Sequence, residues 1–303
     1  MVEIATKFQG LGQNVTTAET IQDAITQANL DWEVALEPLQ GIITKKPVDR
    51  NAVLRLDNQE HLGVVGSSYE PLQNKDVFDW FNPFIEQGFV QLETAGCFYG
   101  GKKIFVLGKI KMDDLEVQKN DVVQSYILLS NSHDGTTSVR VGFTPFRVWC
   151  TNTLKLAIRD KATQLIRVKH TQQVKENITA IGETMDVINQ QFITTAEKYK
   201  WLATRDIKQT DLEKYVRAAF SLPSLEEIAK SDGDSKKGRK IIDYVTERMD
   251  YEDNRNWWTA YNSVQHYMQH NGNDYEKNLN NLWFGNNDSK NQKALNLALE
   301  LAT

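Results

Sequence analysis

The sequence predicts an α+β fold: a central antiparallel β meander with packed helices, followed by a largely helical carboxy-terminal half. Three observations carry this. Runs of period-two or wholly apolar character dominate residues 62–147, turn residues punctuate them, and apolar residues spaced by three and four dominate after residue 176.

Taken in order, residues 1–60 form an amino-terminal extension. TTAETIQDAITQANLD predicts a helix capped at Thr17, with Ile21, Ala24, Ile25 and Ala28 on one face. WEVALEPLQG and VLRLDN predict short strands broken by Pro38 and Pro47. Residues 61–175 form the expected β-rich core. In it KDVFDWFNPFIEQG reads as a helix kinked at Pro83 and stopped at Gly88.

Four strands follow. FVQLETAG alternates, with Val90 and Leu92 on one face and Gln91 and Glu93 on the other, whereas KKIFVLGKI is apolar on both faces and is therefore central. Phe98-Tyr99-Gly100-Gly101 is a hairpin signal between them, and VVQSYILLSN and TSVRVGF complete the meander around Asp134-Gly135. A helix is expected from Leu154 to Lys169, with Leu154, Ala157, Ile158, Ala162 and Leu165 as its apolar stripe.

Residues 176–303 form the helical region. Ile178, Ile181, Met185, Ile188, Phe192 and Tyr199 mark a long helix, and Thr210 with Glu213 fits a capping box. KSDGDSKKGRK reads as an exposed loop, and helical pattern resumes through YVTERMDYEDNRNWWTAYNSVQHYMQH and from Asn291 to Ala302.

Composition narrows the function. With 35 Lys and Arg against 40 Asp and Glu, the net charge of −5 does not by itself advertise a nucleic-acid partner, so any basic surface must be local. Cys97 and Cys150 match no zinc spacing and read as buried thiols in a reducing compartment. No apolar stretch is long enough for a transmembrane helix, so a cytoplasmic protein of a bacterial host cell, without a membrane partner, is expected.

Three motifs suggest catalysis and each has a plainer reading. Gly96 to Lys102 satisfies the start of a phosphate-binding loop, but Lys103 stands where a Ser or Thr is needed and a strand follows where a helix is required. His266 and His270 are one turn apart, yet Tyr267 occupies the place of the zinc-protease glutamate, and no metal site is expected. Ser132, His133 and Asp134 contain the members of a hydrolase triad, but adjacent residues rarely converge in the required geometry, and a hairpin turn explains them. Neither an enzyme nor a cofactor is expected.

The positive signal is basic. From residue 147 to residue 175 the chain carries Arg147, Lys155, Arg159, Lys161, Arg167, Lys169 and Lys175, opposed only by Asp160. On the expected helix Lys155, Arg159 and Lys169 share a face. With Arg140, and with Lys102 and Lys103 at a hairpin tip, they form a candidate phosphate-binding groove. Phe143, Phe146 and Trp149 supply rings that can stack on bases or fill the core.

The runs LGVVGSSYEPLQN, ETAGCFYGGKKIFVLGKI, LLSNSHDGTTSVRVGFTPFRVWCTNTL, WTAYNSV, NLWFG and KALNLAL resemble the phage/plasmid-like protein family, a domain of unknown function found on bacteriophages and plasmids. The resemblance extends from about Leu62 to the carboxy terminus. By analogy of topology it suggests the phage single-strand annealing proteins, whose β-β-β-α core binds single-stranded DNA in rings or filaments. The expected partners are therefore single-stranded DNA, further copies of the chain in a homo-oligomer, and a host or phage recombination protein. The alternative is a protein-binding module that modulates a host recombination or defence factor through Trp257, Trp258 and Tyr261.

Overall fold

A computed structural model describes residues 11–137, 139–147, 152–153, 165–166, 178–230, 234–252 and 254–303. Strand β1 (Gln13–Asn14) and helix α1 (Ile21–Gln27) precede β2 (Val34–Gln40), β3 (Pro47–Arg55) and β4 (His61–Gly66). Helices α2 (Asn74–Phe78) and α3 (Asn82–Glu86) lead into β5 (Val90–Phe98) and β6 (Lys103–Ile110). Then come β7 (Leu115–Gln118), β8 (Asp121–Ser132), β9 (Arg140–Arg147), β10 (Asn152–Thr153) and β11 (Leu165–Ile166). The remainder is helical: α4 (Ile178–Ala203), α5 (Gln209–Phe220), α6 (Leu225–Ala229), α7 (Lys236–Tyr251), α8 (Trp257–His270), α9 (Tyr275–Phe284) and α10 (Asn286–Leu301). The class is α+β, as its segregated strand and helix patterns dictate.

Two compact units result. The first comprises Met1–Met112, Ser125–Phe143 and Asp160–Ile188, and the second Asp113–Gln124, Thr144–Arg159 and Asn189–Thr303. The first unit holds most of the meander, whose order is β1-β5-β6-β8-β9, while Asp121–Gln124 of β8 and Thr144–Arg147 of β9 belong to the second; β6 is buried from Ile104 to Gly108 because it has a neighbour on each side. A smaller sheet, β2-β3-β4, also belongs to this unit. The apolar stripe of α1 packs inward through Ile21, Ala24 and Ile25, but the cap is Thr20 and not Thr17. Thr20 and Asp23 cap each other reciprocally, satisfying donors that the first turn would otherwise leave open.

Pro38 and Pro47 do not break strands. Pro38 pairs with Asn51 beside a register shift in β2, an edge strand, where a missing backbone donor costs no ladder bond; Pro47 starts β3. Glu93 is also displaced from its expected exposed face. A register shift between Leu92 and Thr94 turns it inward, where its carboxylate accepts from the Tyr126 hydroxyl at 2.7 Å.

In the second unit, α8 is buried at every position from Trp257 to Gln265, and α7, α9 and α10 pack around it. Tyr199, Tyr215, Trp258 and Tyr261 are among its fully buried side chains. Two expectations fail here. Lys208, with no side-chain cap, begins α5, because Glu213 is drawn to Arg217 at 2.7 Å instead of back to Thr210. The polar run KSDGDSKKGRK is not a loop throughout: Ser235 accepts from the Gly238 amide at 2.9 Å and starts α7 at Lys236. Asp234 just before it is anchored to buried Arg217 at 2.5 Å. Among the described residues no helix is long and apolar enough to cross a membrane.

Candidate nucleic-acid interface

In the first unit the two turns that sequence reading singled out lie side by side. The β5–β6 turn places Tyr99, Gly100 and Gly101 all at positive φ, a path that the two glycines make accessible. A Cβ on Gly101 would stand 3.1 Å from the Trp32 ring, so the glycine also allows close packing. This is a strand–turn–strand, with no helix to receive phosphates at its N-terminus, and the phosphate-loop reading of Gly96 to Lys102 is excluded. Lys102 is exposed at this turn and Lys103 is half-buried at the start of β6. The Lys102 carbonyl accepts from the His133 amide at 2.8 Å, tying this turn to the next.

That next turn, between β8 and β9, is held from within. The Asp134 carboxylate accepts from the hydroxyls of Ser132 and Thr136, each at 2.5 Å, and from the Thr136 amide at 2.9 Å. Burial pushes the Asp134 carboxyl up, but those hydrogen bonds and the nearby Lys103 charge outweigh it and hold the group below its ordinary value. Gly135 has φ 74°, as the turn requires. A Cβ on Gly63 of β4 would sit 2.6 Å from the Asp134 Cα, so the turn seats directly on the smaller sheet.

The His133 ring is hydrogen-bonded to neither would-be triad partner. It is fully buried, its Nε2 lies 2.8 Å from the Asn74 Oδ1, and its ring meets Trp32 edge-on at 5.3 Å. Asn74 donates its amide to the Leu30 and Trp32 carbonyls, which fixes its oxygen toward His133 and assigns the imidazole proton to Nε2. Burial lowers the His133 pKa to about 4 despite the Asp134 charge. The Ser132 hydroxyl, committed to Asp134, has no base beside it; the cluster is a braced turn with no nucleophile.

Arg140 opens β9 and is half-buried. Arg147, at the far end of that strand and in the second unit, is corrected from phosphate ligand to internal ion pair. It is 2% exposed and chelates two carboxylates. Its Nε and Nη2 donate to Asp121 at 2.7 and 2.6 Å, and Nη1 and Nη2 donate to Glu252 at 3.1 and 2.8 Å. Trp258 donates its indole N–H to Asp121 at 2.7 Å, and Arg248 reaches Glu252 at 3.5 Å. Four hydrogen bonds to carboxylates and almost complete burial close Arg147 to a phosphate. Its partners lie 26 residues before it and 105 after it, a distance that no local pattern in the sequence reports.

Phe143 and Phe146 are buried and therefore serve the core instead of stacking on bases. The expected helix from Leu154 to Lys169 does not run unbroken: Leu165–Ile166 is extended and pairs with Gly142 and Val141 of β9. Lys155, Arg159, Lys161, Arg167 and Lys169, together with Lys175 and Trp149, lie outside the described residues.

The other candidates are structural. Trp257, Trp258 and Tyr261 are buried in the second unit and present no aromatic surface to a partner. The His266 and His270 rings lie 4.3 Å apart, tilted by 31°, with the Tyr244 hydroxyl 2.9 Å from the His266 Nδ1. Burial, the neighbouring imidazole, and the Arg248 and Arg147 charges lower the His266 pKa to about 3; burial and Arg248 lower that of His270 to about 4. Both rings are neutral at pH 7.

No curated protein and no solved structure matches the chain. A family model described as "Domain of unknown function (DUF932)" matches residues 61–299, which takes in β4 through most of α10. Strands β5, β6, β8 and β9, the turns between them and nearly all of the second unit thus fall within one shared pattern, and the chain belongs to the DUF932 family.

Proposed function

We propose that this protein binds single-stranded DNA through its phosphates and serves phage or plasmid DNA metabolism as a binding protein, with annealing of complementary strands as its use. One observation carries the reading. Residues 155–175 hold Lys155, Arg159, Lys161, Arg167, Lys169 and Lys175 against Asp160 alone, in a chain whose net charge is −5. A local cationic run in an acidic protein concentrates affinity for a polyanion at one place.

The geometry supports the reading and also sharpens it. Lys102 is exposed on the β5–β6 turn, and Arg140 begins the strand to which β11, adjacent to Arg167, is paired. With Phe143 and Phe146 buried, these rings contribute no stacking, and phosphate contacts dominate. Binding should then be steeply salt dependent, log K falling by about 0.7 per tenfold rise in salt for each phosphate neutralised. Fluorescence anisotropy of a labelled 30-mer from low to moderate salt tests this. Reversing Arg167 and Lys169 to Glu should lower the slope by roughly 1.4, and the absence of binding at low salt would overturn the reading.

A further inference from the structure

The smaller sheet of the first unit carries an exposed apolar hairpin tip. The β2–β3 hairpin closes through Gly41-Ile42-Ile43-Thr44-Lys45-Lys46, and Ile42 and Ile43 are 84% and 95% exposed. The turn is nevertheless ordered. The Gly41 amide donates to the Lys46 carbonyl at 2.9 Å and the Lys45 amide to the Gly41 carbonyl at 2.8 Å. Lys45 adopts φ 57°, and a Cβ on Gly41 would stand 2.6 Å from the Thr44 Oγ1. The Lys46 amide also donates to the Thr44 Oγ1 at 3.4 Å, and among the described residues no packing of Ile42 or Ile43 closes this tip, so two isoleucines are displayed.

Exposed cations follow them along the chain. Lys45, Lys46 and Arg50 are exposed, and among the described residues none of them forms an ion pair; Asp49 is the one carboxylate between Gly41 and Arg50. An apolar tip followed by two exposed lysines and Arg50, in a chain of net charge −5, is complementary to a polymer whose base faces are apolar and whose backbone is anionic. At its other end the hairpin is fixed to the β5–β6 turn, where Arg55 donates to the Gly100 carbonyl at 3.1 Å and lies over the Trp32 ring at 4.4 Å. The nine residues of β3 hold the tip roughly 26 Å from that anchor.

We propose that the β2–β3 hairpin is a second nucleic-acid contact, in which Ile42 and Ile43 wedge against unstacked bases while Lys45, Lys46 and Arg50 take the flanking phosphates. This rests on the single-stranded DNA reading above and adds to it a device that opens base stacks, which an annealing protein needs to expose pairing edges.

The test uses the full chain and an oligonucleotide carrying 2-aminopurine, whose fluorescence rises on unstacking. Wild type should bind and brighten the probe. Ile42→Ser with Ile43→Ser should abolish the brightening and weaken binding about fivefold, and Lys45→Glu with Lys46→Glu should weaken it at least tenfold. All four positions are exposed, so circular dichroism should be unchanged. Binding and brightening that persist in both variants overturn the wedge while leaving the DNA reading intact; no binding by wild type overturns both. Two other results also overturn it: loss of binding to anionic phosphatidylglycerol vesicles in the isoleucine variant with DNA binding unaltered, which assigns the tip to a membrane surface, and loss of a dimer by light scattering with DNA binding unaltered, which assigns it to a second copy.

Discussion

Two buried side chains decide how far single residues can be trusted as functional signals. Arg147 was the natural anchor of a cationic groove, yet it stands between Asp121 and Glu252 with almost no exposure. Removing one partner of such a network strands the others as buried, uncompensated charges, so Arg147→Ala should cost about 3–5 kcal/mol. Arg147→Lys, which keeps the charge but loses the two-sided fork, should cost less. Urea unfolding measures both, and a loss below about 1 kcal/mol for the alanine variant would mean that the network does not hold the second unit together. His133 yields a pH prediction. It titrates at about 4 when folded, against about 6.5 for an exposed imidazole, so between those values the unfolded chain holds a proton that the folded chain lacks. Stability is therefore fully present above pH 6.5 and falls as the pH drops toward 4, by about 3 kcal/mol from this residue. His266 and His270 act in the same direction. His133→Gln keeps a donor for Asn74 and cannot titrate, so urea midpoints at pH 7, 5.5 and 4.5 should fall less steeply in the variant. Parallel pH dependences would show that this imidazole is not the buried neutral group described.

Elements were legible where burial is periodic and misread where a local competitor exists. The four meander strands and the stripe of α1 follow from apolar runs, turn residues and helix spacing, although alternation misplaces Glu93 where the β5 register shifts. Caps were harder. Thr17 and Thr210 both carry the right chemistry, but Thr20 with Asp23 wins at α1, and at α5 the side chain of Glu213 is taken by Arg217. Both competitors are near in sequence, Asp23 three residues from Thr20 and Arg217 four from Glu213, and spacing alone does not say which local partner wins. The same holds for Leu165 and Ile166, whose spacing suits a helix stripe and whose pairing with β9 makes them strand. The caps give a paired prediction: Thr20→Ala should destabilise by about 1 kcal/mol, whereas Thr210→Ala should fall within about 0.5 kcal/mol of wild type. Equal losses in the two variants, read by thermal or urea unfolding, would contradict the capping assigned here.

At the scale of the whole chain, charge was the most readable quantity and its location the least. A net charge of −5 conceals a run of six cations opposed by one carboxylate in residues 155–175 and a second cationic point at Lys45, Lys46 and Arg50. The first stands out in sequence because Asp160 alone interrupts it. The second does not, because two isoleucines beside a lysine pair look like the end of a strand until the turn is closed and its side chains are seen outside the core. Either cationic surface gains nothing from a polyanion unless the anion binds the folded chain better than the unfolded one, and that difference is measurable as stability. Single-stranded DNA at a hundredfold excess over its Kd should stabilise the protein by about 2.7 kcal/mol. In a thermal scan this should raise Tm by several degrees at low salt and disappear near 0.5 M salt, as counterion release weakens. Polyglutamate supplies negative charge without phosphates or bases and should leave Tm nearly unchanged. An equal shift with both polymers would mean that the cations bind anions indiscriminately, and a shift with neither would remove the reason to place this chain on DNA.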